Sequence, residues 1–140
     1  MNRILRATVL CTLIFCPRPA PAEQLSLDCD LTAVGLPTRA KYTAHIDIDE
    51  NGVTAIVDGV RTHYGNTNDA YINTSGRREY FSVSKSEISY GMEFVYEYMA
   101  SKKSRAVINR ATGEYKGYSG SNDFDLELGV QGVCREVATK

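Results

Sequence analysis

The chain has no tryptophan, only two histidines, and four prolines among its 140 residues. It also has no apolar run long enough for a helical membrane span, which takes about 20 residues. Each shortage excludes something. Three of the four prolines (17, 19 and 21) fall in one short stretch, which argues against a buried helix at the start of the chain. His45 and His63 show no ligand spacing with any cysteine, which argues against a zinc site. No Ser, Cys or carboxylate lies at a sequence spacing that names it as a partner for either ring. The spacing therefore leaves both as exposed, ordinary histidines, and a hydrolase-type enzyme using one of them is the weaker reading. No cofactor motif is present.

The first 22 residues read as an export signal. Arg3 and Arg6 give a positive start, Ala7 to Cys16 is an apolar run, and Ala20-Pro21-Ala22 supplies the small-x-small pattern of a cleavage site. Cleavage after Ala22 leaves a domain over residues 23–140, placed in the periplasm or outside a bacterial cell. Phe15 ahead of Cys16 argues against a lipid-anchored cysteine, and Arg3 and Arg6 are too far apart for a twin-arginine signal. Three of the 16 basic residues and none of the 17 acidic ones lie in this segment, so the mature chain holds 13 against 17, a net charge of −4. A mildly acidic surface argues against a nucleic-acid partner.

Cys11 and Cys16 leave with the signal, and Cys29 and Cys134 remain. Two cysteines in an exported chain, one near each end, read as a disulfide. Closing a loop of about 105 residues would contribute roughly 4–5 kcal/mol in the chain-entropy account.

The mature sequence reads as strands and turns. Tyr42, Ala44, Ile46 and Ile48 alternate with Thr43, His45, Asp47 and Asp49, and Asn51-Gly52 is a strong hairpin signal. Asp58-Gly59 marks a second turn. Further strands are expected at Ala70–Asn73 and Glu79–Ser84. From Ile88 to Tyr98 every second residue is bulky and apolar, with Gly91 read as a bulge or bend. Ser101-Lys102-Lys103-Ser104 reads as a charged turn, and Gly132 as the break before a short strand holding Cys134. The expected fold is all-β: a small antiparallel barrel, or a sandwich, of about eight to ten short strands. In a closed up-and-down barrel the first and last strands are neighbours, so the disulfide fits the barrel.

Four sets of residues are candidates for function. Asp47, Asp49, Asn51 and Gly52 resemble the opening of a calcium loop, with Asp58 at its twelfth position, although the flanks read as strands and the plainer reading is a β-hairpin. Tyr90, Tyr96 and Tyr98 share one strand face, which suits either a core or the lining of a ligand cavity. Arg77-Arg78 and Lys102-Lys103-Arg105 are basic patches near turns. Asn73-Thr74-Ser75 fits a glycosylation sequon, to which a bacterial export signal gives no meaning.

The cysteine in LSLDC and the cysteine in GVC, with Ser75-Gly76 followed by Tyr80, resemble the layout of the membrane-bound inhibitors of C-type lysozyme. The Ser-Gly-x-x-Tyr loop carries one extra residue here, and FSVSKSE stands where an aromatic-rich segment follows in that family. The resemblance implies a small barrel that plugs the lysozyme cleft with loops, with Ser75 and Lys85 as contact residues. The ending INRATGEY…GVC also looks like that of small exported proteobacterial proteins of no assigned role. Together these readings expect a non-enzymatic binding protein, for a protein or a small molecule, with a structural envelope component as the alternative.

Overall fold

A computed structural model describes residues 24–35, 40–65, 76–96, 99–121 and 125–138. Among these, nine strands form one sheet: β1 (Leu25–Ala33), β2 (Lys41–Asp49), β3 (Gly52–Val57), β4 (Val60–Gly65), β5 (Gly76–Val83), β6 (Glu87–Tyr96), β7 (Met99–Asn109), β8 (Glu114–Gly120) and β9 (Glu127–Val137). Their order is β4-β3-β2-β1-β9-β8-β7-β6-β5, and the sheet curls into a nearly closed barrel. No helix among the described residues is long and apolar enough to cross a membrane. The expected strand at 70–73 lies outside the described residues.

The first and last strands meet along a long ladder. β1 pairs antiparallel with β9 from Ser26↔Val137 to Ala33↔Val130. Cys29 stands directly opposite Cys134, and the two are disulfide-bonded with Cα atoms 3.9 Å apart. All eight ladders are antiparallel. Eight reversals in succession leave β4 and β5 running in the same direction, so the odd strand count places one parallel seam in the ring. Among the described residues no backbone ladder spans that seam. Side chains close it: the Gly65 amide donates to Glu79 Oε2 at 3.1 Å, and the Tyr64 ring lies 4.9 Å from the Tyr90 ring.

Alternation sets the core. Leu25, Leu27, Cys29 and Leu31 of β1 point inward with Ala44, Ile46 and Ile48 of β2, Val53 and Ala55 of β3, and Ile88 and Tyr90 of β6. Ala106, Ile108, Tyr115 and Cys134 complete the inner surface. Ile46, Val53, Ile88 and Ile108 are almost wholly sealed from solvent. The β3–β4 hairpin turns on Asp58 (φ 48°) and Gly59 (φ 79°), two successive left-handed residues that match the twist of the flanking strands.

Three local expectations are corrected. Gly91 makes no bulge: it pairs in register with Tyr80 and Arg105, and the irregularity falls between Phe94 and Tyr96. Residues 101–104 are not a turn but part of β7, where Lys103 faces Glu93 and Lys102 faces Phe94 across the ladder. Cross-strand opposite charge and an aromatic neighbour let a charged segment stay extended. Gly132 does not break β9, which runs 11 residues without interruption. There the glycine lets the Asp30 carbonyl and Leu31 of β1 approach closely.

Candidate functional site

The inward face of β6 carries Tyr90, the first of the three tyrosines grouped by the sequence. Tyr96's side chain and Tyr98 lie outside the described residues. Tyr90 is 4 % exposed and packs in the middle of the barrel. Its hydroxyl donates to that of Tyr115, while its ring meets Tyr64. Ala106 stands opposite Tyr90, and Gly117 leaves room for the Tyr115 ring, so the two large groups fit between small ones. Burial pushes the Tyr90 phenol well above its ordinary range, and burial also raises Tyr64 and Tyr115. With Tyr42, Phe81 and Val130 packed against the same cluster, side chains fill the centre of the barrel.

The outward face of β1 and β2 carries a polar network that sequence spacing did not reveal. His45 stands opposite Asp28 in the β1–β2 register. Its Nδ1 lies 2.6 Å from Asp28 Oδ1, and its Nε2 lies 3.1 Å from Asp47 Oδ1. Ser26 Oγ donates to Asp47 at 2.6 Å. Next to them, Arg135 of β9 reaches Asp30 Oδ2 at 3.2 Å. A shallow depression lies along this face, bordered by Asp28, Asp30, His45, Ile56 and Arg135.

The bond from Asp28 raises the His45 pKa above its usual value, against a smaller opposing effect of partial burial. The wiring differs from that of a nucleophile activated by a base. Ser26 gives its proton to Asp47, and both His45 nitrogens face carboxylates, so the ring can donate to both once it is protonated. His63 Nδ1 lies 3.0 Å from Thr54 Oγ1 in the neighbouring hairpin. Both histidines therefore have partners that sequence spacing did not name, and of the two expected to be exposed, His63 is exposed and His45 is half-buried. Those partners are fixed by strand register, at separations of 17 and 9 residues.

The four calcium candidates do not converge. Asp49 Oδ1 accepts from the amides of Asn51 and Gly52, at 2.7 and 3.2 Å, and so shapes its own turn. Asp47 is engaged by Ser26 and His45. Asp58 sits in the β3–β4 turn, at the opposite end of β3 from Asn51. Among the described residues no three His, Cys, Asp or Glu side chains are grouped for a metal ion.

Of the two contact residues implied by the lysozyme-inhibitor resemblance, Ser75 lies outside the described residues. Lys85 is exposed on the β5–β6 hairpin. That hairpin is tightly braced. Ser84 Oγ accepts from the amides of Ser86 and Glu87, at 3.3 and 3.0 Å, and Ser84 Oγ also donates to the Glu87 carbonyl at 3.0 Å. Arg110 Nη1 donates to the Ser84 carbonyl at 2.8 Å from the next hairpin. Lys85 therefore projects from a fixed backbone at the end of the barrel where the 50–51, 84–86 and 110–113 turns cluster, called here the lower end. Comparison with protein-family models, with curated proteins and with solved structures found no match.

Proposed function

We propose that residues 23–140 form an exported, non-enzymatic binding protein that meets a protein partner with the loops at the end of its barrel. The observation that carries this reading is the filled centre. Tyr90, Tyr115, Ile46, Ile88 and Ile108 occupy the space in which a hollow barrel would enclose a small ligand, which leaves surfaces and loops for recognition. The Cys29–Cys134 bond fits an oxidising compartment such as the periplasm or the extracellular space.

The sharpest form of the proposal is inhibition of a C-type lysozyme, with Lys85 entering the acidic cleft from its braced hairpin. A preorganised loop loses little conformational entropy on docking, which favours that role. The test is lysozyme turnover on cell-wall substrate in the presence of excess purified mature protein. Inhibition that weakens by roughly tenfold in Lys85→Ala, the equivalent of about 1.4 kcal/mol, supports the proposal. Undiminished turnover at large molar excess overturns the lysozyme form.

A further inference from the structure

The inward positions of β6, β7 and β8 change character along the barrel. From the lower end they read Ile88–Ile108–Tyr115, then Tyr90–Ala106–Gly117, then Met92–Ser104–Ser119, then Phe94–Lys102. The first two rows are packed. In the third, hydroxymethyl groups replace hydrocarbon on two of three strands, and solvent reaches Ser119 there and Lys102 in the fourth. An open depression of about 440 Å³ lies on the surface at the upper end, bordered by Phe94, Lys102, Lys103, Ser104, Ser119 and Ser121. This is within the size range of small-molecule sites.

The lining has two chemistries. Phe94 is half-buried and supplies an apolar wall, with the Arg77 guanidinium 5.9 Å from its ring centroid. Lys102 faces Phe94 directly across the β6–β7 ladder and has no carboxylate partner among the described residues. The Ser104 and Ser119 side chains stand opposite each other on β7 and β8 and offer two hydroxyl donors. A cation and hydroxyls beside an aromatic wall suit a molecule with an anionic head and an apolar body.

We propose that the upper end of the barrel binds an anionic amphiphile, its head group at Lys102 and the serine hydroxyls and its tail along Phe94. This site is separate from Lys85, which lies at the other end, so the two proposals fail independently. The test is titration calorimetry of the mature protein with decanoate below its micelle concentration. Acetate (head group alone) and decyltrimethylammonium (the same tail with opposite charge) serve as the comparison ligands.

The expected result is saturable binding of one decanoate, with both comparison ligands at least about tenfold weaker. Lys102→Gln, at an exposed position that leaves the fold intact by circular dichroism, should weaken decanoate roughly tenfold, as loss of a charge-assisted contact does. Phe94→Ala should weaken it as well, and Lys85→Ala should leave it unchanged. Absence of decanoate binding, equal binding of decyltrimethylammonium, or full affinity in Lys102→Gln would each overturn the proposal.

Discussion

A methyl group added at Gly91 would collide with the Ser104 carbonyl and lie 2.6 Å from the Tyr80 hydroxyl oxygen. The Tyr80 side chain crosses the outside of β6 at this glycine, and its hydroxyl donates to the Ser104 carbonyl of β7 at 3.1 Å. Gly91→Ala is therefore expected to destabilise the fold by about 1–3 kcal/mol, the range of overpacking substitutions, read as a lower urea midpoint at unchanged slope. His45 gives a second test at this scale. Its folded pKa lies above the unfolded 6.5. Its contribution is thus complete below that value and is lost as pH rises through the folded pKa. His45→Gln should lower the melting temperature at pH 6 and lose its effect by pH 9. The difference should stay under about 1 kcal/mol, because the ion pairs are solvent-exposed. The direction of each side chain was legible in the sequence: alternation placed His45 outward and Tyr90 on the bulky face of β6. The partners were not legible, since Asp28 meets His45 through β1–β2 register, and register is set by pairing rather than by local spacing.

Turn chemistry made several elements readable. A hairpin closes at each place where the sequence puts one: the β2–β3 loop is Glu50-Asn51, followed by Gly52 at φ 148°, and the β3–β4 loop is Asp58-Gly59 with both residues left-handed. Composition misled where a ladder compensated it. Lys102 and Lys103 look like a turn in isolation, yet across from Phe94 and Glu93 they extend β7. Nor did the sequence signal the register shift between Gly117 and Tyr118 against β9, because a bulge is visible only as a mismatch between two strands. The strongest prediction at this scale concerns Ile88, which is 1 % exposed beside Ile108 in the lowest packed row. Ile88→Ala should cost about 2–5 kcal/mol in denaturant unfolding, the usual range for truncating a buried isoleucine. A loss below 1 kcal/mol would mean that this row is not packed.

At the scale of the whole molecule, the barrel joins its two chain ends in its interior rather than at its margin. β1 and β9 are central in the strand order, and the parallel β4–β5 seam takes the place of an edge. The filled centre makes alkaline pH a probe of the entire domain. Tyr64, Tyr90 and Tyr115 have folded pKa values raised above the unfolded 10.0. Stability should therefore hold below pH 10 and fall as pH rises beyond it, when unfolded phenols ionise and buried ones do not. Ultraviolet titration should show these tyrosines ionising only together with loss of the sheet signal. The most direct test of the closed, stapled barrel is urea unfolding of the oxidised protein compared with the Cys29→Ser/Cys134→Ser variant. One cooperative transition is expected in each, with the variant less stable by about 4–5 kcal/mol, as the loss of a crosslink closing about 105 residues implies. Two separate transitions, or equal stability with and without the crosslink, would contradict the account.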